Sequence, residues 1–237
     1  MWTAAFFPVV VVMFLWAFQM LAEAFGWPIW RLGVYPRHAE GLLGIITAPL
    51  VHGDYGHLFN NSIPILVLGW CLVYFYPRVA WRVLAAIWLL TGIWVWISAR
   101  ADHHIGASGV VYGMAAFLFF SGLIRRNRAL MAISLLVVFL YGGMVWGVLP
   151  IFPHVSWESH LWGGLSGLAM AVVYRKVPPA YIVVDEQIAA EQHDDTGGPG
   201  PAEHAPPDRV DDLPLWYDPQ TTSHTGDGDH FRPDRTR

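Results

Sequence analysis

The chain has 237 residues, of which 55% are hydrophobic and only 14% charged, with 13 Trp, 13 Phe and 9 Tyr. A soluble domain carries roughly a quarter charged residues, so this composition excludes an ordinary soluble globule and points to a membrane protein. The charge is unevenly divided: residues 1–176 hold 10 basic and 5 acidic side chains, whereas residues 177–237 hold 4 Arg and 13 acidic ones.

Residues 4–25 are apolar apart from Gln19 and Glu23, and about 20 residues suffice to cross a hydrocarbon core, so a first span is expected here. No basic segment precedes the run and it is too long for a signal-peptide core, which favours a retained span over a cleaved leader. Residues 26–56 mix Gly, Pro, Arg and His with short apolar pieces at Leu42, Leu43, Ile45 and Ile46. That stretch is too long for a simple connector and too broken to span, and reads as an interfacial, partly helical loop.

Further spans are expected over 57–76, ending before Pro77 and Arg78, over 80–98, 108–124 and 129–149, ending at Pro150 and Pro153, and over 159–174, stopping at Arg175. The fourth and sixth are short and glycine-rich, which suits helices surrounded by other helices. The single cysteine, Cys71, lies inside the second run, so no intrachain disulfide can form, and it reads as a small buried apolar residue. The fold expected is all-α and polytopic: a six-helix body over 1–179, then an acidic tail over 180–237. The tail is rich in Asp, Pro, Gly and His and lacks apolar periodicity, so it is expected to be disordered. Its one apolar patch, Leu213–Tyr217, reads as a stray cluster in preference to a docking motif.

Six spans put both termini on one side. The loops on that side carry Arg78, Arg82, Arg125, Arg126, Arg128, Arg175 and Lys176, against Arg31, Arg37 and Arg100 on the other. The positive-inside rule therefore expects cytoplasmic termini. One Lys among 14 basic residues suits a GC-rich bacterial genome, and with it the inner membrane of a bacterial cell.

Polar side chains inside spans are costly and face the protein interior or a water-filled cavity. Here they are His57, Asn60 and Asn61 in the second span, with His52 five residues before His57. Ser108 and Tyr112 lie in the fourth span, and His160 near the start of the sixth. All fall at one depth under the expected topology. Gly109 and Gly113 form a small-xxx-small pair beside Ser108, and Gly163 and Gly167 form another beyond His160; such pairs let two backbones approach closely. If those faces meet, Ser108 and His160 come within hydrogen-bond reach, as a nucleophile and its general base must.

Tyr112, four residues from Ser108, shares its helical face one turn deeper and can pack under the imidazole. His57 and Asn61 share a face too and, with the Ser108 amide, can hold an oxyanion; Asn60 points about 100° away. No carboxylate falls within these spans, so the chemistry on offer is a serine–histidine dyad. Ser108 also reads, more plainly, as a helix N-cap. A metal site built from His52, His57, His160 and the pair His103–His104 is disfavoured, because H-E-x-x-H is missing and no carboxylate lies at the right depth. His52 reads as a brace for the loop, and His103–His104 as lying at the solvent mouth.

These motifs resemble the rhomboid intramembrane serine proteases. His52-Gly-Asp-Tyr-Gly-His57-Leu-Phe-Asn-Asn61 is similar to that family's second-span pattern. Gly106-Ala107-Ser108-Gly109, with Tyr112, is similar to its nucleophile motif, and His160-Leu-Trp-Gly163, continuing to Gly167, to its sixth-span motif. The resemblance covers the body, roughly residues 4–176. It implies Ser108 as nucleophile, His160 as base, and His57, Asn61 and the Ser108 amide around the oxyanion. It further implies cleavage in or near a substrate's transmembrane helix without metal, cofactor or nucleic acid, the partners being membrane-protein substrates and the bilayer. Substrate is expected to arrive laterally, past the fifth helix and its cap loop. One departure concerns the first loop, where Leu43–Gly44 stands in place of a Trp-Arg pair, so a different loop anchor is expected. The competing readings are a catalytically silent relative that escorts membrane clients, which should lack Ser108 or His160, and a channel, whose polar residues should continue through the bilayer.

Overall fold

The computed structural model describes residues 2–141, 146–151 and 155–180. The acidic tail beyond residue 180, with Leu213–Tyr217, lies outside them. Among the described residues there are seven α-helices and no strand: α1 (Trp2–Ala24), α2 (Gly44–Thr47), α3 (Tyr55–Phe75), α4 (Ala80–Ser98), α5 (Ser108–Arg125), α6 (Arg128–Tyr141) and α7 (Trp157–Val173). Helices α1 and α3 to α7 lie on the six stretches expected to span, although α6 is helical over Arg128–Tyr141 where a span over 129–149 is expected. The stretches Ala4–Ala24, Tyr55–Phe75, Ala80–Ser98 and Ser108–Arg125 are each long and apolar enough to cross a membrane. The last of these is the most buried, and α7, with 17 residues, packs along it.

The burial pattern is that of a bundle in lipid. Phe6 is 70% exposed and Phe139 83%, as apolar side chains facing hydrocarbon would be. The interior is built around α5, where Val111, Met114, Phe117 and Leu118 pack with Leu68 and Leu72 of α3 and with Val83 and Ile87 of α4. Where α5 meets α7, glycine removes the side-chain layer altogether. A Cβ on Gly163 would strike the carbonyl of Gly109, and one on Gly167 the carbonyl of Gly113. The two backbones are in direct contact over a full turn, as the paired small residues led us to expect.

Local signals set where the site-bearing helices begin. Asp54 caps α3 by accepting from the His57 amide at 2.8 Å. Ser156 caps α7, its hydroxyl accepting from the Ser159 amide at 3.4 Å. At the start of α5 the cap position is Ala107, which contributes no side-chain bond, and Ser108 is the first helical residue. The plain reading of Ser108 as an N-cap is thereby corrected. The chain enters through Gly106 at φ +105, a conformation that L side chains rarely adopt. At the opposite end of α5, Arg126 takes up the left-handed conformation and stops the helix. There the Arg125 guanidinium donates to the carbonyls of Tyr174 and Val177, both at 2.7 Å, and ties the end of α7 to α5.

The first loop is a chain of short helical turns, namely Ile29–Leu32, Ala39–Gly41, α2 and Ala48–Leu50. Trp27, Trp30, Leu42, Leu43 and Ile46 are exposed along it, which suits a segment lying at an interface. The expected difference in anchoring has a structural counterpart. Arg37, at φ 62, donates from its guanidinium to the Ala99 carbonyl at 2.7 Å and from its amide to the Trp96 carbonyl at 2.9 Å. Trp96 in return donates to the His38 carbonyl at 2.9 Å. The last turn of α4, whose carbonyls have no intrahelical partner, therefore holds the loop. Leu43 is exposed, and Gly44 is buried where a Cβ would run into the Gly33–Val34 backbone.

Candidate active site

At the end of the bundle where α3, α5 and α7 begin, a cavity of about 790 Å³ opens between them. His57, Asn61, Ser108, Tyr112 and His160 line it, with Asp54, Arg100, Asp102 and His103 toward its rim. Five polar side chains from three helices thus line one cavity with room for many waters.

The Ser108 hydroxyl lies 2.9 Å from Nε2 of His160, and the other ring nitrogen, Nδ1, lies 2.9 Å from the carbonyl oxygen of Gly147. A carbonyl oxygen can only accept, so the neutral ring carries its proton on Nδ1. Nε2 is left with its lone pair toward the Ser108 O–H. Serine donor and imidazole acceptor are arranged for proton transfer, with the ring 8% exposed. Tyr112 stacks on the imidazole with ring centroids 4.1 Å apart and an interplanar angle of 6°.

His57 and Asn61 face the cavity from α3. The Gly53 amide donates to Nδ1 of His57 at 3.5 Å, a contact that leaves Nε2 as the protonated nitrogen. That Nε2 lies beside Gly106, where a Cβ would come within 2.6 Å of it. Gly106 therefore serves twice, once for its backbone angle and once for the room it leaves the imidazole. One N–H of the Asn61 amide donates to the His57 carbonyl at 2.9 Å, and the other stays available on a side chain 4% exposed. The Ser108 amide, in the first turn of α5, belongs to the set a helix leaves without an internal acceptor. Donors of this kind, with one at the positive end of a helix dipole, are the chemistry that holds an anion. Asn60 is exposed and reaches only the cavity wall.

His52 is 2% exposed and accepts from the Ala107 amide at 3.4 Å, directly before Ser108. Burial, followed by the neighbouring His57, pushes its pKa down to about 3 against a smaller opposing pull from Asp54. His52 is thus a neutral acceptor that braces the serine loop, and the same loop is held by the Gly106 amide donating to the Ala48 carbonyl at 3.0 Å.

The pair His103–His104 divides. His103 lies at the cavity rim between Trp30 and Tyr35, with ring centroids 4.8 and 4.7 Å away. His104 is 3% exposed, so the expectation that it faces solvent is corrected. Its backbone pairs with Val34, its Nε2 meets the Arg100 carbonyl at 3.0 Å, and its Nδ1 meets the Ser156 hydroxyl at 2.6 Å. Burial leads the causes that lower its pKa, which keeps it a neutral link between the first loop and the cap of α7.

Sequence reasoning missed two groups near His160. Glu158 falls inside α7, since that helix begins two residues earlier than expected, and its carboxylate is 4% exposed. It is engaged by Arg100, through the guanidinium at 3.4 Å and the main-chain amide at 3.4 Å. The group that meets Nδ1 of His160 is instead the Gly147 carbonyl, which no side-chain pattern can announce. Among the described residues no cluster of His, Cys, Asp or Glu is arranged to hold a metal ion.

The Rhomboid domain model matches residues 39–177 of the chain. Uncharacterized proteins of Mycobacterium tuberculosis and Mycobacterium bovis are similar, each 39% identical over 149 residues, covering 59% of this chain and 62% of theirs. An uncharacterized protein of Mycobacterium leprae is 39% identical over 149 residues, covering 59% of each chain. The chain thus spans about three-fifths of the length of these relatives. The matched region holds α2 to α7 and every residue lining the cavity, and the chain belongs to the rhomboid family of helical integral membrane proteins.

Proposed function

We propose that this protein is an intramembrane serine endopeptidase that cuts a peptide bond in or near the transmembrane segment of a membrane-protein substrate. The observation that carries the reading is the 2.9 Å contact between the Ser108 hydroxyl and Nε2 of His160 at the wall of the polar cavity. Ser108 Oγ attacks the scissile carbonyl carbon while its proton passes to Nε2 of His160. The tetrahedral oxyanion is held by the Ser108 amide, His57 Nε2–H and the free Asn61 N–H. Collapse breaks the C–N bond, the amine leaves with the proton from His160, and an acyl ester on Ser108 remains. Water then attacks the ester, again giving its proton to Nε2. The second collapse releases the carboxylic acid and returns the proton to Ser108 Oγ. The cycle consumes one water and no cofactor.

The loop charges favour a cavity open to the outer side of a bacterial inner membrane, with both termini cytoplasmic. The body over 1–179 carries the activity, and the acidic tail over 180–237 is a dispensable docking or regulatory segment. Retained Ser108 and His160 favour the enzyme over a silent client-binding relative.

The test is cleavage of a model single-span substrate by the purified full-length protein in liposomes. Cleavage that persists with a chelator and disappears in Ser108→Ala is expected. Equal turnover by Ser108→Ala would sink the reading.

A further inference from the structure

We propose that the main-chain carbonyl of Gly147 is the positioning group for the base, holding His160 as a carboxylate does in a serine protease triad. This rests on the protease reading above. The carbonyl oxygen sits 2.9 Å from Nδ1 of His160, while the other ring nitrogen, Nε2, meets Ser108. A base that must take a proton on Nε2 needs its other proton fixed on Nδ1, and loss of that tautomer costs about 10⁴ in turnover in a carboxylate triad. Here the only acceptor at Nδ1 among the described residues is this backbone oxygen. The nearby buried carboxylate, Glu158, is committed to Arg100.

The identity of residue 147 follows from the same geometry. Its φ is not in the left-handed region, so the backbone conformation does not call for glycine. Space does: a Cβ there would strike the Tyr112 hydroxyl and lie 3.1 Å from Nδ1 of His160. The imidazole is therefore located by three contacts, the Ser108 hydroxyl, the Tyr112 ring face and the Gly147 carbonyl. The third comes from the turn between α6 and α7, so the tautomer of the base depends on a segment belonging to neither Ser108's helix nor His160's. A neutral dipole also stabilises the imidazolium less than a carboxylate would.

The full-length protein, labelled with ¹⁵N-histidine in detergent micelles, reads the tautomer directly, with His160→Gln used to assign the resonance. His160 is expected to carry its proton on Nδ1 at neutral pH, with Nε2 unprotonated. Replacing Val148 by its α-hydroxy analogue turns the 147–148 linkage into an ester, which keeps every side chain and weakens the Gly147 carbonyl as an acceptor. The Nδ1 proton should then move upfield and kcat fall roughly tenfold with KM little changed. A second pair of variants guards against a folding defect: Gly147→Ala should lose more than about tenfold in kcat, and adding Tyr112→Phe, which removes the obstructing hydroxyl, should recover part of it. An Nε2-bound proton, an ester with unchanged kcat, or a fully active Gly147→Ala would each overturn the proposal. If a fluorophosphonate still labels Ser108 in the parent, any of those results leaves the protease reading standing. A parent that neither cleaves nor labels would overturn that reading, and the positioning role of the Gly147 carbonyl with it.

Discussion

Gly163 rests against the carbonyl of Gly109 with no room for a methyl group between the two helices. Ser108 is the next residue along α5 from that contact, and His160 lies one turn before it on α7, so the distance between hydroxyl and imidazole is set by backbone-to-backbone packing. Gly163→Val should force α5 and α7 apart. We expect a loss of about 1–3 kcal/mol of stability from overpacking, and a fall in cleavage of more than about tenfold. Thermal unfolding in detergent, measured beside turnover, checks both.

Tyr112 contributes a flat face to the imidazole of His160, 4.1 Å away and nearly parallel. Tyr112→Phe keeps that face, whereas Tyr112→Leu removes it and with it about 1 kcal/mol of ring–ring attraction. Turnover should therefore be several times higher in the Phe variant than in the Leu variant, with the difference in kcat and not in KM. Equal kcat in the two would deny the stacking any part in holding the base.

Arg37 fastens the first loop to the last carbonyls of α4 through a bond of 2.7 Å to Ala99. That loop carries Ala48, which accepts from the Gly106 amide two residues before the serine. Arg37→Ala should cost about 1–2 kcal/mol of stability, as loss of a charged hydrogen bond does, and should lower cleavage although the residue is remote from Ser108. Limited proteolysis within residues 26–56 should speed up in the variant.

The serine, the two glycine pairs, the stacked tyrosine and the α3 pair were all legible in the sequence, because each is a side-chain type at a helical spacing. What remained hidden has a different physical origin. The acceptor at His160 Nδ1 is a main-chain carbonyl, and every residue has one. Arg37 acts across 62 positions of sequence, from a loop without periodicity. Glu158 escaped because the cap at Ser156 begins α7 before its apolar run does. His104 is buried by long-range contacts with Val34 and Ser156 that its neighbours in sequence do not reveal.

His52 gives the fold a pH dependence with a definite sign. Its folded-state pKa is pushed down to about 3 by burial, whereas the unfolded chain holds histidine near its ordinary 6.5. Between those values the unfolded state binds the extra proton, so stability is complete above about pH 6.5 and declines as the pH falls toward 3. His104, lowered chiefly by burial, adds to the decline in the same direction. The melting temperature should drop between pH 7 and pH 5, and less steeply in His52→Gln, which keeps an acceptor for the Ala107 amide.

Activation of Ser108 as a nucleophile is the central claim, and it can be read directly. A fluorophosphonate probe applied to the full-length protein, with the modified residue located by mass spectrometry, measures this without knowledge of the natural substrate. Labelling at Ser108 that disappears in His160→Ala is the expected result. Labelling that is unchanged without His160, or that falls on another serine while Ser108 stays unmodified, would contradict the account.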